Sequence, residues 1–236
     1  MNISMPPVVI LAGGLGTRLG HLTQRRPKCL VEVLGEPFAA HQLRLLRSQG
    51  VNRVFFCLGH LGDQVVEALG DGQKFGLEIS YLFDGPRLLG TGGAIRRSLE
   101  ILPESFFVTY GDSYLPCDLP SIHETFKTSQ QEALMTVFAN QGKWDSSNVE
   151  FHKGKILRYD KFHQTPRMNH IDYGLGLFNR RAFTEIPENI PFDLAHLYHT
   201  LRDCGRLAAF EVQDRFYEVG SSLGLEETRR YLDMRR

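Results

Sequence analysis

The chain has 236 residues, 42% of them hydrophobic and 23% charged, with 27 basic side chains matched by 27 acidic ones. That length and apolar content suit one soluble domain burying its own core without disulfides or structural metal. The balanced charge excludes a general field for nucleic acid or anionic membrane, so any anion site has to be local. The four cysteines, Cys29, Cys57, Cys117 and Cys204, form no C-x-x-C pair and no zinc spacing, and are expected as free thiols of a reducing compartment. "MNISMPP" is no secretory leader and no apolar run approaches a membrane span, so the expected location is the cytoplasm.

In chain order, "VVILA" reads as a buried strand running into the glycine-rich loop "GGLGTRLG". "PFAAHQLRLLRSQG" has apolar residues at helical spacing and stops at Gly50. Then come strand "RVFFCLG", helix "GDQVVEALG", strand "LEISYLF", helix "GTGGAIRRSLEIL", strand "SFFVTYGDS" and helix "LPSIHETFKTS". This alternation predicts β-α-β units and a mostly parallel, doubly wound Rossmann-like α/β sheet. After about residue 133 the pattern shifts to "ALMTVFA", a hairpin around Gly154 in "NVEFHKGKILRYD", and "HIDYGLGLFNR". Helix "PFDLAHLYHTLRDCG", strands "RLAAFEV" and "RFYEVG", and closing helix "GLEETRRYLDM" complete it. The expectation is a single domain, with a nucleotide-binding half at about 1–132 and an antiparallel extension at about 133–236 laid as a lid over the sheet. Three loops, Gly13–Arg18, Gly90–Gly93 and Gly111–Ser113, follow strands and so should converge where α/β sheets bind ligands.

The first loop fits neither common phosphate motif. A dinucleotide fingerprint needs a third glycine where Leu19 stands, and "RVFFCLG" lacks a terminal acid for ribose. A P-loop needs a glycine where Arg18 or Leu19 falls. What is left is a nest of backbone N–H groups with a guanidinium, Arg18, and an ammonium, Lys28, which Pro27 helps to aim. That combination points to a polyphosphate.

"LAGGLGTRL" followed by "RPKCLVEVLGEPF" resembles the signature of the sugar-1-phosphate nucleotidyltransferases. "LLGTGGAIRRSL" is similar to that family's base-binding L-G-T-x-x-A segment, and "FFVTYGDSYL" to its metal-binding strand ending in G-D. The resemblance is dense over the first half and thinner beyond it. It implies attack of a sugar 1-phosphate on the α-phosphorus of a nucleoside triphosphate, with Mg²⁺ as cofactor and pyrophosphate leaving. Such chemistry needs alignment and charge neutralisation, not a protein nucleophile.

The resemblance implies base and ribose contacts from Leu11, Ala12, Gly13 and Gly14, and a β,γ-phosphate grip by Gly16, Thr17 and Arg18. Lys28 would bridge the α-phosphate and the attacking phosphate, and Gly90, Thr91, Gly92 and Gly93 would form the base pocket. Thr91 could equally be a helix N-cap. Asp112 would hold Mg²⁺, and Glu218 in "FYEVG" stands where relatives carry a second metal-binding aspartate. "RYDKF" keeps the family's sugar-phosphate lysine as Lys161 with Asp160 for glutamate, and "IDYGLGLF" places Asp172 and Gly174 on the sugar-facing strand. Asn148 is a further candidate sugar contact.

Among relatives, the chain looks closest to small bacterial enzymes that activate a heptose 1-phosphate with GTP or N-acetylmuramate 1-phosphate with UTP, for cell-surface polysaccharide. The GTP and heptose reading is preferred. The alternatives are a UTP-dependent hexose or N-acetylmuramate enzyme and a non-catalytic nucleotide-sugar module. The expected partners are these substrates, without nucleic acid or membrane, and a homo-oligomer stays open. Three signals are set aside. "GSSLG" matches a serine-hydrolase elbow, but no histidine follows Gly224 to complete its triad. His196 and His199 share helical spacing without further metal ligands, and Trp144 reads as a loop aromatic.

Overall fold

The computed structural model describes residues 5–14, 25–85 and 87–235. The first half supplies β1 (Val8–Leu11), β2 (Glu32–Val33), β3 (Glu36–Pro37), α1 (Phe38–Ser48), β4 (Arg53–Leu58), α2 (Gly62–Leu69) and β5 (Glu78–Phe83). It continues with α3 (Gly90–Arg97), β6 (Ser105–Tyr110), β7 (Ser113–Tyr114) and α4 (Leu119–Ser129). The second half holds β8 (Ala133–Phe138), β9 (Val149–His152), β10 (Lys155–Tyr159), β11 (Ile171–Asn179), α5 (Leu194–Asp203), β12 (Leu207–Val212), β13 (Tyr217–Glu218) and α6 (Ser222–Asp233).

Seven strands form one sheet in the order β12-β8-β11-β6-β1-β4-β5. β11 runs antiparallel to both its neighbours, and the other pairings within the β5-β4-β1-β6 run and between β8 and β12 are parallel. The expected parallel α/β sheet is therefore present. Successive side chains of a strand point to opposite faces, so each central strand feeds two cores. On β4, Phe56 packs with Leu43 of α1, Val65 of α2 and Ile122 of α4. Its neighbour Phe55 packs on the other side with Ile95 of α3 and Leu197 of α5. Both rings are fully buried, each stabilising by roughly 1.5–3 kcal/mol.

The second half does not lie over the sheet as a lid. β8, β11 and β12 extend it edge to edge. The cause is visible in β11, whose Leu175, Leu177 and Phe178 are buried, with Leu177 and Phe178 in opposite cores. A strand apolar on both faces needs cover on both faces and belongs inside a sheet. Among the described residues of this half, only the β9–β10 hairpin forms a separate two-stranded sheet by itself. A third core holds α6 against Val31, Phe38, Tyr114 and Val219.

Candidate active site

The chain lays β1, β4 and β5 outward in one direction and then returns to place β6 on the other side of β1. Open α/β sheets bind ligands beyond the strand ends at such a reversal. A cavity of about 240 Å³ opens there, lined by Leu11–Gly14 at the end of β1, Lys28, Cys57 near the end of β4, Asp84 after β5, Gly90 and Thr91 of α3, and Gly111 and Asp112 after β6. The described parts of the three glycine loops, Gly13 and Gly14, Gly90 and Thr91, and Gly111 and Asp112, therefore meet at one place. Cys29 and Cys57 also line it, but burial pushes both thiols up to about 12, so neither is a nucleophile at neutral pH.

The Gly111-Asp112 turn is held from three elements. Gly111 N–H donates to the Leu11 carbonyl of β1, and Val219 N–H donates to the Asp112 carbonyl, each at 2.9 Å. The third holder is Gln42 of α1, whose amide nitrogen donates to the Tyr110 carbonyl at 2.9 Å and the Ser113 carbonyl at 2.8 Å, bracketing the turn. Gln42 is 3% exposed. Gln42→Met keeps the volume and removes both donors, leaving two enclosed carbonyls unpaired at about 1–3 kcal/mol each. The expected result is a folded variant with a lower melting temperature and a fall in kcat of at least about tenfold, larger than any change in KM for nucleotide. Steady-state kinetics alongside thermal melts checks this.

Asp112 faces two charged groups. Lys28 Nζ lies 3.1 Å from its Oδ2, with both side chains about four-fifths enclosed. Pairing of β13 with β7 puts Glu218 opposite Ser113 and brings its carboxylate to the same spot. A Cβ placed on Gly220 would sit 2.6 Å from Glu218 Oε2, 3.1 Å from Asp112 Oδ2 and 3.5 Å from Lys28 Nζ. Two carboxylates and an ammonium thus surround one point at the cavity's edge. Among the described residues no three acidic, histidine or cysteine groups cluster as a complete metal cage. A pair of carboxylates suits Mg²⁺, which draws most of its ligands from phosphate and water.

Gly90, Thr91, Gly92 and Gly93 divide into two tasks. Gly90 and Thr91 line the cavity. Gly92 and Gly93 press on the 190–194 segment, both donating N–H to the Phe192 carbonyl, and a Cβ on Gly92 would come 2.7 Å from the Phe192 ring. Gly90 has φ +69°, with Phe192 O 2.9 Å from where a Cβ would stand, so both backbone and space exclude other residues. Thr91 is not the cap of its own helix. Its hydroxyl accepts from Leu194 N–H at 2.8 Å, completing the start of α5 beside the Asp193 cap.

In the second half, Asp172 is engaged internally. Its Oδ1 accepts from Gly174 N–H and its Oδ2 from the Tyr159 hydroxyl, both at 3.0 Å, while its own N–H donates to Asn148 Oδ1 at 2.9 Å. Gly174, at φ +86°, passes its carbonyl to the Thr109 hydroxyl and lies against Tyr110 and Ser113, tying this cluster to the Asp112 turn. Lys161 lies 6.0 Å above the Tyr159 ring and favours the charged form of Asp172. Its turn is fixed by Asp160, whose carboxylate accepts from Phe162 and His163 N–H and is held at about 2. Asn148 and Asp172 thus have building roles that leave few of their atoms for a sugar.

Burial pushes the Asp172 carboxyl above its ordinary range, against Lys161 and the Gly174 N–H. With the folded value raised, the ionised form is penalised. The penalty is absent below the unfolded value near ~4 and grows as pH rises through the folded one. Asn can still accept from Gly174 and donate to Tyr159, so the Tm gain of Asp172→Asn over wild type should widen from acid to neutral pH. A gap that is flat or shrinks with pH contradicts the assignment.

The nucleotidyl transferase family model matches residues 7–185, which spans most of the sheet and this cavity. The chain belongs to this family. As a nucleotidyl transferase it is 27% identical over 219 residues to a UTP–glucose-1-phosphate uridylyltransferase of Synechocystis sp., covering 84% of this chain and 55% of that protein. It is 28% identical over 220 residues to the mannose-1-phosphate guanylyltransferase catalytic subunit beta of Xenopus tropicalis, covering 90% of this chain and 60% of that one. The chain thus spans little more than half the length of these curated relatives. Its fold matches HddC from Yersinia pseudotuberculosis at a TM-score of 0.79, with 23% identity, 97% of this chain and 100% of that one covered.

Gly16, Thr17 and Arg18 lie outside the described residues. The signals set aside in the sequence have structural tasks. His199 stacks on Tyr159, His196 meets Phe192 edge-on, and Trp144 carries the Arg215 guanidinium 3.5 Å above its ring. Four residues at this nucleotidyl transferase site were not anticipated: Asp84, Gln42, Gly220 and Ser221. No described helix is long and apolar enough to cross a membrane.

Proposed function

We propose that this protein transfers a nucleotidyl group from a nucleoside triphosphate to a sugar 1-phosphate, releasing pyrophosphate. The observation that carries the reading is the convergence of Gly13, Gly14, Lys28 and Asp112 on one cavity at the sheet's switch point. A phosphate oxygen of the sugar 1-phosphate attacks the α-phosphorus in line. The bond to the β-phosphate breaks and its electron pair leaves with pyrophosphate. Lys28 neutralises the α-phosphate, and Arg18 keeps the β,γ-phosphate role its motif implies. Asp112 and Glu218 would hold Mg²⁺, which supplies charge neutralisation for the phosphates when bound. Lys161 meets the acceptor's phosphate.

The base is read as guanine because of Asp84. This carboxylate is 6% exposed, lines the cavity and, among the described residues, accepts one long bond, from Leu89 N–H at 3.4 Å. Ionised carboxylates only accept hydrogen bonds. Of the RNA bases, guanine alone presents two adjacent donors, N1–H and N2–H₂, on its pairing edge. Uracil presents one donor between two acceptors, which a carboxylate repels. The structural neighbour HddC is known complexed with GMP-PN, which agrees with this choice. The heptose assignment rests on the motif resemblance described above.

The test is pyrophosphate release with Mg²⁺, crossing the four ribonucleoside triphosphates and dTTP with hexose, N-acetylhexosamine, N-acetylmuramate and heptose 1-phosphates. Release with GTP and a heptose 1-phosphate is expected. Release with UTP and another sugar would keep the reaction and replace the substrates. Nucleotide binding without release from any pair would favour a non-catalytic module.

A further inference from the structure

A second hollow, an open groove of about 590 Å³, lies between residues 141–147, which follow β8, and residues 164–169, which lead into β11. β11 runs antiparallel to both β8 and β6, so its start lies at the sheet edge that also carries the Asp112 turn. Gln141 N–H donates to the Asn169 carbonyl at 2.9 Å and joins the two walls. Each wall is tied to residues of the acceptor side. The first runs directly into Asn148, whose Oδ1 accepts from Asp172 N–H and whose own N–H donates to the His170 carbonyl. The second follows the turn of Asp160 and Lys161, and Asp160 N–H donates to the Asn148 carbonyl at 3.0 Å. The groove therefore continues from the acceptor side. Among the described residues it shares no lining residue with the nucleotide cavity.

The first wall is built on a buried amide. Asn140 is 0% exposed, and its Nδ2 donates to the Asp145 carbonyl at 2.5 Å and to Ser147 Oγ at 3.3 Å. Its Oδ1 accepts from Trp144 N–H at 3.3 Å, so one enclosed side chain fixes the loop from within. Arg215 holds the tip. Its guanidinium lies 3.5 Å above the Trp144 ring and 4.8 Å from the Tyr217 ring, and it pairs with Glu227 of α6. Stacked from one side, Trp144 is still 45% exposed and lines the groove. Fixing so large a ring while leaving it half in water forgoes the burial that a core tryptophan gains. Beside it stand Gln141, Gln164 and Asn169, whose amides each offer donors and an acceptor. Lys143 and Asp145 cancel in charge, so the groove has no net field for an anion.

We infer that this groove takes the hydroxylated carbon chain of the acceptor sugar at the end remote from its phosphate. A rigid aromatic ring among neutral amides suits a sugar, whose C–H faces stack on indole and whose hydroxyls both donate and accept. With the phosphate met at Lys161, the part of the acceptor that passes Asn148 is the end away from C1. A heptose has one exocyclic carbon and one hydroxyl more than a hexose, and these extend into the groove. Trp144 and Gln164 are then specificity-determining residues for the acceptor. The inference rests on the sugar 1-phosphate reading above.

Trp144 is the chain's single tryptophan, so its emission reports on this groove. The whole protein, with GTP present and Mg²⁺ withheld, is titrated with a heptose 1-phosphate, the hexose 1-phosphate of the same ring configuration, the methyl heptoside and inorganic phosphate. With Mg²⁺ restored, kcat/KM is measured for both sugar phosphates in wild type, W144A, W144F and Q164A, alongside thermal melts. Emission should change saturably with the heptose 1-phosphate, at least about fivefold more tightly than with the hexose, and not with inorganic phosphate. Wild type should prefer the heptose by about tenfold or more in kcat/KM. W144A should bring that ratio close to one, W144F should keep most of it, and Q164A should fall between. A purely structural role for Trp144 would lower both sugars together and leave the ratio intact, which would overturn the groove and keep the reaction. If W144A unfolds, a silent wild-type emission or a wild-type ratio in Q164A overturns it instead. Emission that answers the methyl heptoside but not the sugar phosphates would give the groove to a separate carbohydrate and overturn the acceptor assignment. Absence of transfer to any sugar 1-phosphate would remove the reaction, and this assignment with it.

Discussion

Asp112→Asn is expected to lower kcat by about a thousandfold and to leave the fold in place. The substitution keeps the size and one acceptor of the side chain, so the backbone bonds that hold the turn, from Gly111 to Leu11 and from Val219 to Asp112, persist. What disappears is a negative charge that pairs with Lys28 at 3.1 Å and faces Glu218 across one point. A partly exposed ion pair contributes at most about 1 kcal/mol to stability, so the melting temperature should move little. Catalysis is far more sensitive. Losing a group that holds charge against a transferring phosphoryl costs several kcal/mol of transition-state stabilisation, and each 1.36 kcal/mol is about tenfold. Single-turnover rates at saturating substrates, with a melt of the same preparation, measure both. An Asp112→Asn variant turning over within tenfold of wild type would remove this residue from the mechanism.

Asp84→Asn should redistribute nucleotide preference, not abolish activity. A buried site built to accept two donors rejects a base lacking them because its own polar atoms are left unpaired. The wild type should favour GTP over UTP by about a hundredfold or more in kcat/KM, and over ITP, which lacks the exocyclic amine, by about tenfold. The amide offers one acceptor and one donor, and both ratios should collapse. The pH dependence provides a second reading. Burial raises the Asp84 carboxyl above its usual range, while Leu89 N–H and Arg97 work the other way. Because the folded value is raised, the charged acceptor is lost as pH falls through it, so GTP selectivity should decline towards acid in wild type and stay level in Asp84→Asn. Selectivity that survives the substitution would mean that the base is read elsewhere.

The parts legible in the sequence were those set by periodicity and by turn chemistry. The strands on either side of the glycine loops, and the convergence of those loops on one edge, follow from β-α-β geometry that any such pattern must adopt. Residues acting through long-range packing were harder to see. Thr91 is expected in the base pocket, with a local cap as the alternative, but its hydroxyl serves a helix about a hundred residues later, at Leu194. The lid failed because alternating strands were assigned to a separate layer, whereas β11 is apolar on both faces and had to be interior. Asp84 in "LFDGP" reads as an ordinary Asp-Gly turn until its burial beside the cavity is known. Gln42 did leave a trace. It shares a helical stripe with Ala39, Leu43 and Leu46, all buried, and a polar side chain on such a stripe needs partners inside. The contacts of "GSSLG" were hidden in the sequence because they depend on Glu218 folding back upon it.

The central claim is group transfer to a sugar phosphate, and the most direct measurement follows the α-phosphorus itself. GTP labelled at the α-phosphate would be incubated with the protein, Mg²⁺ and a heptose 1-phosphate, and the labelled products separated by chromatography. The account predicts label in a nucleotide sugar, formed in equal amount with pyrophosphate and absent from Asp112→Asn. Label that stays in GTP while the nucleotide binds tightly, across every acceptor supplied, or that emerges as GMP, would contradict it.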